Sequence, residues 1–66
     1  MNRIDMGNKI RALRGAESQQ NLADKLQISK SALAMYERGE RIPRDEVKIR
    51  IARHFDVSIE SIFFCE

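Results

Sequence analysis

QQNLADKLQISKSALAMYER, running from Gln19 to Arg38, reads as two short helices joined by a tight turn. From Gln19 to Leu26, the residues Leu22, Ala23 and Leu26 share one face, the spacing of a half-buried helix. From Lys30 to Arg38, Ala32, Leu33 and Tyr36 repeat the pattern. Gln27, Ile28 and Ser29 between them leave room only for a sharp reversal. Ser18 and Ser29 stand where a hydroxyl takes up a free N–H at a helix start. Ile28 and Leu33 are spaced as a hydrophobic staple, which sets the angle at which the chain enters the second helix. Ala23 is the small residue that two crossing helices need, and Leu33 is expected in the angle between them. Lys30, Ser31, Ala34 and Met35 are left on the outer face.

These residues resemble a family. The pattern SQxxLAxxLxIS, then Leu33, Tyr36-Glu37, Gly39 and Pro43, is similar to the Xre type of helix-turn-helix, the family of the lambda-like phage repressors and Cro proteins. The resemblance runs from about Lys9 to Phe63, with the cap serine, alanine, turn, leucine, Tyr-Glu pair and exit proline in one frame. It implies an all-α fold of five helices, a homodimer on a two-fold DNA operator, and a bacterial or phage setting. The sequence departs from the family at three places. Gln27 stands where glycine is frequent; a left-handed residue other than glycine costs about 1 kcal/mol. Glu17 replaces an apolar residue, and the link before Ser18 is short.

Composition sets further bounds. Sixty-six residues suit one domain, residues 1–66, with a small core. A single cysteine, Cys65, allows neither an internal disulfide nor a Cys/His zinc cluster, and fits a reducing, cytoplasmic setting. No apolar run approaches the roughly 18–20 residues of a membrane span. The net charge of +2 is uneven: residues 1–44 hold nine Lys/Arg against five Asp/Glu, residues 45–66 three against five. The basic part contains the two-helix unit, which suits a polyanionic partner there. Without the motif, a mixed solvated surface would be the default reading.

Outside the central unit, Met1 to Asp5 reads as a loose arm, in which Arg3 is nearer a frayed end than a phosphate contact. A first helix is predicted over Met6 to Arg14, with Met6, Ile10 and Leu13 inward, ended by Gly15. In the family an arginine near this point pairs with the glutamate of the Tyr-Glu dipeptide, here Glu37; Arg14 and Arg11 are both candidates, and an exposed arginine is the plain alternative. Gly39 stops the second helix of the unit, Glu40 to Ile42 form a loop, and Pro43 starts a fourth helix with Asp45 and Glu46 in its first turn. That helix turns Val47, Ile51, Ala52 and Phe55 inward and runs to His54; Ile49 is left for the core edge or a partner interface. Ser58 caps a last short helix, Ile59 to Phe63, with Val57 and Ile62 as another staple. The apolar end Ile62-Phe63-Phe64 is expected in part to close the core and in part to form a dimer surface.

The chemistry points to duplex DNA. A helix of this size fits the major groove with its outer face on base edges. By the resemblance, Lys30, Ser31 and Met35 occupy base-facing positions, with Ala34 beside them; the plain alternative is ordinary helix surface. Lys30 is suited to guanine O6/N7, and Ala34 and Met35 to a thymine methyl. Gln19 matches the family position that grips a phosphate at a helix start. Arg38, Arg41 and Arg44 are expected phosphate contacts, or else solvated charge; Lys25 is a weaker candidate, and Arg50 and Arg53 are placed away from DNA. Enzymatic readings fail: His54 is the only histidine, no glycine-rich phosphate loop is present, and no catalytic, metal or cofactor site is expected. The expectation is a sequence-specific transcriptional regulator, a repressor more than an activator. The competing reading is a protein-interaction module, an antitoxin or anti-repressor, that grips a regulatory protein partner through the apolar end.

Overall fold

The computed structural model describes residues 2–63. Five helices follow one another: α1 (Arg3–Arg14), α2 (Gln19–Leu26), α3 (Lys30–Glu37), α4 (Asp45–Phe55) and α5 (Ile59–Phe63). The fold is all-α, as the sequence predicts. Helices α2 and α3 form the helix-turn-helix; α1 packs on α3, α4 on α2, and α5 closes the space between α1 and α4. Met6, Ile10, Leu22, Leu26, Leu33, Ile51 and Phe63 are the large side chains withdrawn from solvent.

The local signals act as read. Ser18 Oγ accepts the Asn21 N–H and Ser29 Oγ the Ala32 N–H, both at 3.0 Å. Leu33 is fully buried, and Ile28 packs on the core from the turn. Gln27 takes the left-handed conformation at φ 59°, ψ 42°, and α2 ends through Gln27 N–H to Asp24 C=O and Ile28 N–H to Ala23 C=O. The same closure follows α3: Gly39, at φ 73°, donates to Tyr36 C=O, and Glu40 to Met35 C=O. Ser58 Oγ accepts the Ser61 N–H at 3.2 Å at the start of α5.

Several expectations are corrected. Residues 3–5 are not a loose arm: Asn2 Oδ1 accepts the Ile4 N–H at 2.8 Å, capping α1 so that it begins at Arg3. Leu13 is not inside; it is 37% exposed. The inward stripe of α1 instead passes through Gly7, because a Cβ there would lie 2.3 Å from Glu37 O. The α3 backbone therefore sits directly on α1 at Gly7, which rotates the stripe away from Leu13. Pro43 does not begin α4; it is buried two residues before it, and Arg44 is the cap residue, without a side-chain cap bond. Arg38 falls just beyond α3, while α4 runs one residue past His54 to the half-buried Phe55.

The apolar end is also corrected. Ile62 and Phe63 are 2% and 0% exposed, so their side chains fill this chain's own core and leave none of that area for a dimer surface. Helix α5 contacts both α1 and α4, and its Ile62 and Phe63 join the core cluster there. Phe64, the third residue of that group, lies outside the described residues, as does Cys65. Ile49 is 39% exposed, beside Ile59, Asp45 and Lys48 in a shallow depression. No helix among the described residues is long and apolar enough to cross a membrane.

Candidate nucleic-acid interface

The outer side of α3 follows from its inner side. Leu33, Tyr36 and Glu37 are buried, so the helix must present the residues between them outward. Lys30 and Ser31 are exposed and Ala34 and Met35 half-exposed. Among the described residues, no side chain engages Lys30 by hydrogen bond or ion pair. A cation, a hydroxyl, a methyl and a thioether thus share one open helical surface.

The cationic candidates divide by what they touch. Arg41 and Arg44 are exposed and unpaired among the described residues. With Gln27, Ser29 and Ala32 they line a cleft of about 300 Å³ beside the first turn of α3. Arg38, at the other end of α3, is engaged: its Nε and Nη2 donate to Glu40 at 2.7 and 3.2 Å. These bonds raise the Arg38 pKa above its ordinary value and lower that of Glu40. Lys25 Nζ is 2.5 Å from Glu17 Oε2, which explains how a glutamate is accommodated where the family has an apolar residue. Arg50 Nη1 donates to Leu26 C=O at 3.1 Å, closing the end of α2, and Arg53 is exposed on α4.

Gln19 is the first residue of α2, and its Nε2 donates to Glu37 Oε1 at 2.9 Å. Glu37 also receives Arg14, Nε to Oε2 at 2.7 Å and Nη2 to Oε1 at 3.0 Å. Of the two candidate arginines, Arg14 therefore makes the bidentate pair, while Arg11 Nε is 4.0 Å from Oε1. Hydrogen bonding to Glu37 is the main cause that holds the Arg14 pKa above its ordinary value. Arg14 Nη1 reaches Glu17 C=O at 2.6 Å, so the short link between α1 and α2 is tied into the same group. The side chains brought together here come from three helices.

Sequence reading missed Gly7, Arg50 and the Gln19–Glu37 bond. Gly7 carried a signal, since a glycine inside a helix without a close neighbour only weakens it. The Arg50 carbonyl bond and the Gln19 bond have no local signature, because both partners come from other helices.

The family model described as helix-turn-helix matches residues 10–62. An uncharacterized HTH-type transcriptional regulator of Methanocaldococcus jannaschii is 35% identical over 63 residues, covering 92% of this chain and 96% of that one. The crystal structure of the restriction-modification controller protein C.AhdI from Aeromonas hydrophila superimposes with a TM-score of 0.80 at 27% identity, over 91% of this chain and 94% of that one. The chain belongs to the Xre type of helix-turn-helix DNA-binding proteins.

Proposed function

We propose that this protein is a transcriptional regulator, a repressor that binds a two-fold operator as a homodimer. The observation that carries this reading is the open outer face of α3, with Lys30, Ser31, Ala34 and Met35 on it and Arg41 and Arg44, unpaired among the described residues, beside it. Its eight residues span about 12 Å, enough for only a few base pairs, so one copy reads too little sequence for a unique site. Two copies on half-sites about 34 Å apart double the contacts. Likeness to a regulator and to a restriction-modification controller supports the regulatory role. Ile49, exposed on α4, with the half-buried Ile59 beside it, is the apolar area offered to the second copy. Lys30, Ser31, Ala34 and Met35 meet base edges; Gln19, Arg38, Arg41 and Arg44 meet phosphates. The protein works in the cytoplasm, on the chromosome or on phage DNA.

The competing protein-interaction reading is weakened, because Ile62 and Phe63 are inside the core. A footprint on the DNA flanking the gene, at two salt concentrations, tests the proposal. A protected, two-fold symmetric site that outcompetes random duplex is the expected result; binding no tighter than to random DNA would reject it. Arg41→Ala should weaken binding to all sequences alike and lower the salt slope by about 0.9.

A further inference from the structure

We propose that Glu37 is a positioning residue for DNA-backbone binding: it holds the Gln19 carboxamide so that one Nε2 hydrogen is kept for a phosphate oxygen. The inference rests on the phosphate role given to Gln19 above. Its basis is the geometry of one buried carboxylate. The Glu37 side chain is 1% exposed, and among the described residues its donors are Arg14, twice, and Gln19.

A carboxylate only accepts, so the group turned towards it by Gln19 must be the NH2 and not the oxygen. That fixes the amide orientation, which a free glutamine would leave to solvent. The NH2 has two hydrogens. One is committed to Glu37 Oε1 at 2.9 Å; the other is directed away from it, at the start of α2. A long side chain that would otherwise lose its rotational freedom on binding is therefore ordered beforehand.

Arg14 is a necessary part of the device. A bare carboxylate this close to a helix start would repel a phosphate. The bidentate arginine cancels its charge from the α1 side, with Arg11 Nε 4.0 Å away as a second cation. Arg14 is itself anchored on Glu17 C=O, so the link preceding α2 is fixed by the same group. Glu37 thus places a DNA-facing group on α2 while itself lying on the inner side of α3.

The test is a comparison of four proteins on a random-sequence duplex, since a phosphate contact needs no operator: the unchanged chain, Gln19→Ala, the pair Arg14→Met with Glu37→Met, and all three together. Replacing both partners of a buried pair with apolar groups of similar size leaves no uncompensated charge, so the fold is expected to persist, as thermal unfolding will show. Gln19→Ala should weaken binding about two- to tenfold and leave the salt slope unchanged, because an uncharged amide releases no counterion. The paired variant should bind about two- to tenfold more weakly. In its background, Gln19→Ala should cost clearly less than in the unchanged chain.

A folded paired variant that binds as tightly as the unchanged chain overturns the proposal, as does an equal cost of Gln19→Ala in both backgrounds. If the paired variant does not fold, the Gln19 side-chain NH2 signals of the unchanged chain decide by 15N-resolved NMR. Two well-separated hydrogens, one of them moved by added duplex, support positioning; an averaged pair indifferent to duplex rejects it. Failure of the function itself looks different: the unchanged chain would then protect no two-fold site in the footprint and bind flanking DNA no tighter than random duplex, whatever the four proteins show relative to one another.

Discussion

The two faces of α3 are built on opposite terms. Inward, Leu33, Tyr36 and Glu37 are enclosed, and every buried side-chain N or O among the described residues has a partner. Outward, Lys30, Ser31, Ala34 and Met35 lack such enclosure, and Lys30 has no partner side chain among the described residues. A face that already satisfies its own groups has nothing left to offer a ligand. A face left unsatisfied at low cost must stand in water, and is free to exchange that water for DNA. The comparison separates residues that hold the helix in place from residues proposed to read DNA, and substitutions on each side should report in different measurements.

Leu33→Ala should have the largest effect. It removes a fully buried side chain from the angle between α2 and α3, and should cost about 2–5 kcal/mol in denaturant unfolding. Gly7→Ala should follow at about 3 kcal/mol, since its Cβ would meet Glu37 O and Tyr36 O. In an open helix the same change would stabilise by roughly 1 kcal/mol, so the sign alone tests whether α1 touches the α3 backbone. Lys30→Ala should leave unfolding within about 0.5 kcal/mol, yet relax preference at one or two operator positions by about 1–3 kcal/mol in competition binding. A large stability loss there would erase the contrast between the faces.

The smallest effect concerns the exit of α3. Glu40→Gln should release Arg38 and tighten binding to any duplex by no more than about fivefold. The same pair gives a pH dependence. Its hydrogen bond from Arg38 lowers the Glu40 pKa, so the contribution of the pair is complete above the ordinary carboxylate value of 4.5 and lost as pH falls through the lowered one. A titration of Glu40 by NMR should therefore show a midpoint below 4.5, and Arg38→Ala should restore it.

What was legible depended on whether the cause was local. Caps at Ser18, Ser29 and Ser58, the packing of Ile28 on the core that holds Leu33, and the left-handed Gln27 are matters of a few consecutive residues, and they appear in the structure. One local signal, the Asn2 cap of α1, was missed; the errors at Leu13 and in the apolar end lie where a distant element intervened. Leu13 satisfied the helical period of α1, but Gly7 and Glu37 decided which way α1 faced. Ile62 and Phe63 could close a core or meet a second copy by composition alone; only the gap between α1 and α4 assigned them.

The interface shows the same division. The exposure of Lys30, Ser31, Ala34 and Met35 follows from their phase against Leu33 and Tyr36, which is a property of the helix itself. Arg38, Arg41 and Arg44 look alike as residues of one basic stretch. The structure divides them, with Arg38 held by Glu40 and the other two unpaired among the described residues.

The order of the amino acids by itself determined five helices, the starts of α2, α3 and α5, and which side of α3 faces outward, because helix caps and periodicity act within one or two turns of chain. The tertiary structure alone decided that Arg14 and not Arg11 holds Glu37, that Gln19 joins them, and that Arg50 closes α2. Hydrogen bonds between separate helices depend on ångström-scale distances set by packing, and no spacing along the chain encodes those distances.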